Sequence, residues 1–418
     1  MMRYRLLGVL LLTGWLSACS SEPTHAPLGG DPSGTPTTGG NPGTPTTAGN
    51  PGTPTSAGNP GVVPVTPAFV PTAEQAHSYM QYIGPALLGR VLTDDEIAKL
   101  DQQAGAAIEP MLRSWVDEKG FAEAVRIMME LKLGTSGKRG DADYGLAGYL
   151  VRHVVQSRLP WSTILTSSTC YSATDTPMAC DTGAPFTAGV LTTRGFLAGN
   201  ESRFNLARAH AMLNTFMCRD YPHEETLQPK VERDQLKVMF RAATAEEQQE
   251  AAASGGFGNG FNCYTCHGQF SLHAQPFVKF DKSGLWKADA TGLQSETGQL
   301  GDSDNGLSTS HWESPELAKL ESSSWFTTPI ANLAEGAKVL AEHPKFRECT
   351  LQHLLDLAIG LDPAYDTGIT GLKVAPDFLT ELATAVTAQE PDPTIQALAI
   401  ALYADPRVMA ATLNGLKR

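Results

Sequence analysis

Beyond residue 67 apolar residues return every three or four positions through most of the chain, and runs of strict alternation are scarce. Positions three and four apart share one face of a helix, so this period predicts helices rather than strands. Thr72 with Gln75, and Thr93 with Glu96, stand in the capping-box pattern and mark two helix starts. Phe121, Val125, Met128, Met129 and Leu131 predict a core-facing helix over Phe121–Leu133, and Leu146, Tyr149, Leu150 and Val154 predict another over Tyr144–Val155. Amphipathic runs follow at Arg203–Met217, Ile330–Ala341, Cys349–Ile359 and Thr394–Tyr403. The expected fold class is mainly α. Between the first two striped helices, Gly134–Lys138 reads GTSGK, too short for a phosphate-cradling loop and better suited to a polar turn.

The first 66 residues lack that pattern. Met1–Arg5 is short and basic, Leu6–Leu12 is apolar but too short to span a bilayer, and Leu16-Ser17-Ala18-Cys19 follows. In that order these features resemble the leader and lipobox of bacterial lipoproteins. The resemblance implies a signal peptide over 1–18, an acylated Cys19 and, with Ser20 next, sorting to the outer membrane. An ordinary secretory leader that happens to hold a cysteine is the alternative. From Ser20 to Thr66 the chain is mostly Gly, Pro, Thr, Ser and Asn with almost no large apolar residue, and TPTTGGNPG, TPTTAGNPG and TPTSAGNPG stand in tandem from Thr35. Such a segment buries too little apolar surface to offset its ordering entropy and predicts a disordered tether, with a root-mean-square reach of roughly 40 Å.

Charge narrows the function classes. The 418 residues carry 31 Lys+Arg against 44 Asp+Glu, a net charge of -13, and this balance argues against a nucleic-acid partner. No G-x-S-x-G or H-E-x-x-H occurs. Asp302, Asp304 and Asn305 suggest a calcium loop, but Gly306 takes an expected ligand position, and a solvated loop is the simpler reading.

The strongest chemical signal is Cys263-Tyr264-Thr265-Cys266-His267, the one C-x-x-C-H in the chain. Two thiols at this spacing add across the vinyl groups of a haem, and the adjacent histidine ligates the iron from below. Three other readings share the residues. A thioredoxin-like pair wants flanking strands, where this chain has Gly255, Gly256, Gly258 and Gly260. Zinc would use Cys263, Cys266 and His273 but lacks a fourth ligand at finger-like spacing, and a disulfide across the pair would be strained.

With Phe280, Asp281, Gly284 and Trp286, the segment CYTCHGQFSLHAQPFVKFDKSGLWK resembles the haem segment of planctomycete- and myxobacteria-type c-type cytochrome domain families of unknown function. LLGRVLTDDEIAKL from Leu87, GVLTTRGFLAGN from Gly189 and HPKFRECTLQHLLDLAIG from His343 are similar to their N-terminal, middle and C-terminal modules, in the same order. The resemblance implies helical modules around a cytochrome c-like haem segment: an N-terminal module over 67–160, a haem-bearing middle module over 161–320 and a C-terminal module over 321–418. It implies one covalent haem c and one-electron transfer to an unidentified redox partner. A peroxidase-type enzyme with an open distal site, and a binding or assembly lipoprotein with structural haem, are the alternatives.

Many members of these families carry a histidine shortly before the haem cysteines, whereas none lies between His223 and His267 here. Met239 is therefore the first candidate for distal ligand, ahead of Met409, His311, His343 and His353, and an open site is the remaining choice. Setting aside Cys19, Cys263 and Cys266 leaves Cys170, Cys180, Cys218 and Cys349, with three possible pairings. The polar segment between Cys170 and Cys180 suits a short closed loop. Cys218 with Cys349 follows from the resemblance, which keeps their modules together.

Overall fold

In the computed structural model the helix starts at Thr72 and Thr93 are both closed capping boxes, Thr72 to Gln75 and Thr93 to Glu96. They open α1 (Ala73–Leu88) and α2 (Asp94–Gln103). The structure describes residues 69–201, 205–219, 272–288, 321–359 and 377–416. Cys19, the tether, Met239, Cys263, Cys266, His267, His311 and the Asp302–Gly306 stretch lie outside the described residues.

Thirteen α-helices occur among the described residues, and the protein is mainly α. After α1 and α2 come α3 (Ile108–Trp115), α4 (Lys119–Leu133), α5 (Leu146–Gln156), α6 (Thr163–Thr166), α7 (Arg194–Gly199) and α8 (Leu206–Met217). Then follow α9 (Leu333–Glu342), α10 (Pro344–Ile359), α11 (Phe378–Gln389), α12 (Ile395–Tyr403) and α13 (Pro406–Leu416). Strands occur only as antiparallel two-residue or three-residue pairs among these residues: β1 (Lys138–Arg139) with β2 (Ala142–Asp143), β3 (Cys170–Tyr171) with β4 (Pro177–Met178), and β5 (Ser323–Trp325) with β6 (Thr328–Ile330). The described residues belong to one unit, Ala68–Arg418.

The stripe of α4 buries Phe121, Val125, Met128 and Met129, but Leu131 is 77% exposed. At 100° per residue Leu131 falls well off the line of the other four, so it never belonged to that face. On α5, Leu146, Leu150 and Val154 are buried together with Ala147, Val151 and Val155, while Tyr149 is half-buried at the margin. Gly134 ends α4 in the left-handed conformation (φ 67°) and Gly137 (φ 72°) turns the chain into β1, so GTSGK is a turn.

Helix α10 is the hub, packing on α1, α8, α11 and α12, while α4 packs on α1, α5 and α8. Buried side chains with polar ends fix the register. The Tyr79 hydroxyl donates to the carbonyl of Tyr403 (2.7 Å), and Tyr403 donates in turn to Leu354, tying α1 to α12 and α12 to α10. Trp161 donates to the Thr350 hydroxyl (2.9 Å) and Trp115 to Glu96 (2.5 Å), so each indole keeps its N–H partnered inside the core. No helix among the described residues is long and apolar enough to cross a membrane.

Candidate cofactor site

The described part of the segment that begins with C-x-x-C-H runs from Leu272 to Lys287, starting five residues after His267. Its core is a tight turn. Asp281 accepts hydrogen bonds on Oδ1 from the Ser283 amide (2.9 Å), the Ser283 hydroxyl (2.8 Å) and the Leu285 amide (2.9 Å). Gly284 sits at φ 78°, where an L side chain is strained, and an added Cβ would come within 3.1 Å of Arg194 and Leu197. The turn brings Phe280 opposite Trp286 in a bridge, closed by the Asp281 amide on the Leu285 carbonyl (2.9 Å) and the Lys287 amide on the Lys279 carbonyl (2.8 Å). Phe280, Asp281, Gly284 and Trp286 therefore have one structural job each: an apolar plug, a carboxylate that ties the turn, a left-handed residue and a bridge partner.

Two arginines clamp this turn to the helices before it. Arg194, at the start of α7, donates through Nε to the Ser283 carbonyl (3.1 Å) and through both Nη atoms to Asp141 (2.9 Å each). Arg208, on α8, is fully buried and donates to the carbonyls of Leu197 (2.8 Å), Phe280 (2.9 Å) and Asp281 (2.5 Å) and to Oδ1 of Asn205 (3.0 Å). Burial pushes its guanidinium down to about 10, with Glu201 and Asp281 opposing that shift. Asp181 receives the Arg194 amide (2.9 Å), and burial raises its carboxyl above the ordinary range.

The other end of the segment is held by aromatic rings. Trp325, buried on β5, donates through its indole nitrogen to the Leu272 carbonyl (3.0 Å), and Ser323 donates to the same oxygen (2.5 Å). Gly336 on α9 makes room for it, since a Cβ there would lie 2.6 Å from the indole ring. His273 is buried, stacks on Trp325 (5.7 Å between ring centres) and meets Phe326 at 5.2 Å. His343 also meets Phe326 (4.7 Å between ring centres), and its Nδ1 accepts from the Lys345 amide (3.1 Å). The Arg219 guanidinium stands 5.8 Å over the Phe326 ring.

Of the other distal candidates, Met409 is buried on α13, and His353 is buried on α10, where its Nε2 lies 2.8 Å from the Thr215 carbonyl. That ring also abuts sulfur. Among the described residues there are two disulfides, Cys170–Cys180 beside the β3–β4 pair and Cys218–Cys349 between the end of α8 and α10. His353 Nε2 lies 3.4 Å from Cys349 Sγ and 4.0 Å from Cys218 Sγ.

The sequence reading placed no role on Arg208, Arg194 or Trp325. Arg208 had a signal: it stands at the spacing of Met212 and Thr215, on the apolar face of α8, where a charge is out of place. Asp141 had none, because an exposed acidic residue in a turn is ordinary. In comparisons with known proteins, no family model, curated protein or solved structure matches this chain.

Proposed function

We propose that the chain is a single-haem c-type cytochrome, exported and membrane-anchored through Cys19, that passes single electrons to a partner protein. The observation that carries this reading is the motif Cys263-x-x-Cys266-His267 leading into a segment that is locked at both ends. The donor set fits the group, with two thiols for the vinyl carbons and an imidazole for the iron. Cys263 and Cys266 hold the haem, His267 is the proximal ligand and Met239 the distal candidate. The bound haem supplies a ferric–ferrous one-electron couple.

What the described residues contribute is position. His267 and Leu272 are five residues apart, at most about 18 Å along the chain, and Leu272 is tied through its carbonyl to Trp325 and Ser323. Arg208 and Arg194 fix the exit of the same segment. An electron carrier gains from such rigidity because little needs to reorganise when its charge changes. The repeat tether gives the globular part room to meet its partner at the outer membrane, and the net charge of -13 suits a partner of basic or mixed charge rather than nucleic acid.

Voltammetry of the haem-loaded protein, with and without cyanide, tests the carrier role. The expected result is a reversible one-electron wave that cyanide shifts little and no catalytic current on adding peroxide. A large peroxide-dependent current with rapid cyanide binding would replace this reading with a haem enzyme.

A further inference from the structure

Cys218 ends α8 in the left-handed conformation (φ 48°), half-buried, and Cys349 lies one turn before His353 on α10, both buried. The sulfurs and His353 Nε2 all lie within 4.8 Å of one another. We propose that the thiol-reduced chain holds one zinc-like divalent cation between Cys218 Sγ, Cys349 Sγ and His353 Nε2, so that disulfide and cation are alternative occupants of the same place. This is independent of the haem reading, which uses other cysteines.

Geometry supports it first. Tetrahedral zinc with sulfur at about 2.3 Å and nitrogen at about 2.0 Å sets sulfur and nitrogen about 3.5 Å apart. His353 Nε2 already stands 3.4 Å and 4.0 Å from the two sulfurs. The sulfurs have to separate, to about 3.8 Å, and the imidazole has to turn away from the Thr215 carbonyl. Cys218, half-buried at the end of α8, is the less enclosed of the two cysteines, and water would complete the tetrahedron as fourth ligand.

Electrostatics supports it next. Two thiolates, one neutral imidazole and a doubly charged cation sum to zero, which a buried place tolerates far better than two bare thiolates. The carbonyls of Thr215 (3.5 Å) and Asn214 (3.8 Å), in the last turn of α8, also face Cys349 Sγ. That negative helix end disfavours free thiolates and favours a cation.

The exchange balances. A dithiol reductant gives two electrons to the disulfide and is oxidised to its own disulfide, while the sulfurs take up two protons as thiols. Cation binding returns those two protons to solvent. His353 Nε2 carries a proton in the disulfide form, because it faces a carbonyl that can only accept. In the cation form that proton moves to Nδ1 and Nε2 turns from Thr215 to the metal.

The test uses the full chain reduced with a phosphine, treated with zinc or with a chelator, then pulsed with iodoacetamide and mapped by mass spectrometry. Zinc should slow alkylation of Cys218 and Cys349 by about ten-fold or more while leaving Cys170 and Cys180 unchanged. His353→Ala should weaken that protection about ten-fold, and Cys218→Ser, at the half-buried end of α8, should abolish it at Cys349. Cobalt in place of zinc should give thiolate-to-metal absorption with the same dependence on these residues. Equal alkylation with and without zinc overturns the proposal. So does undiminished protection in both variants, or a reduced chain that loses its helical signal with zinc present.

Discussion

Arg90 and Glu96 show how single residues hold the first module. Glu96 is nearly buried, and burial alone would raise its carboxyl, but Arg90, the Thr93 amide and the Trp115 indole all donate to it and hold it down to about 2. Arg90 reaches Glu118 as well, so one guanidinium joins the start of α2 to the start of α4. A carboxylate depressed in the folded state stabilises above its unfolded value, near 4.3, and loses that contribution as pH falls toward 2. Glu96→Gln should therefore cost about 2–3 kcal/mol at pH 7, and denaturant titrations should show the gap to the parent closing between about pH 4 and pH 2. A gap of constant size across that range would mean that shape, not charge, is what Glu96 supplies. The Thr93–Glu96 spacing made the cap legible from sequence, since a cap is local. Its second partner, Trp115, was not, because it meets Glu96 only when α3 folds back.

Among the elements, the turn after the haem-like motif depends most on one residue. Gly284→Ala meets both a left-handed backbone and the Arg194 and Leu197 atoms at 3.1 Å, whereas Gly89, also left-handed (φ 69°), has nothing within 4 Å of an added Cβ. Thermal unfolding should show Gly284→Ala costing about 2–4 kcal/mol and Gly89→Ala about 1 kcal/mol. Equal costs would show that backbone conformation alone matters and that the packing of the turn on α7 is loose. Helices were legible wherever their apolar stripe was wide, as in α4, α5 and α8. Leu131 is apolar but lies off the angular line of the α4 face, so its character alone gives the wrong side, and it is 77% exposed. The short pairs β1–β2, β3–β4 and β5–β6 were not legible, since two or three residues carry no alternation to detect. Of the arginine clamps, the burial of Arg208 was legible as a charge on the apolar face of α8, but its partners were not, because main-chain carbonyls leave no mark in a sequence.

At the scale of the whole molecule, the cross-ties run between sequence-distant segments. Cys218 joins Cys349 across 131 residues, Tyr79 reaches Tyr403, and Arg208 reaches the 280–281 turn. Closing a loop of that length contributes on the order of 5 kcal/mol in the chain-entropy model, and the tie holds α8 beside α10. Downstream of the motif of Cys263, Cys266 and His267, the described residues 272–288 are braced at both ends, by Trp325 and Ser323 at one and by Arg194 and Arg208 at the other. Covalent attachment by those two cysteines is the central claim, and its most direct measurement is acid-acetone extraction of protein made in a host that matures c-type haem, followed by peptide mapping of the coloured fraction. The account predicts one haem per chain remaining with the protein, on the peptide that contains Cys263, Cys266 and His267. Colour that leaves with the acetone, or recovery of both cysteines as unmodified thiols, would contradict it.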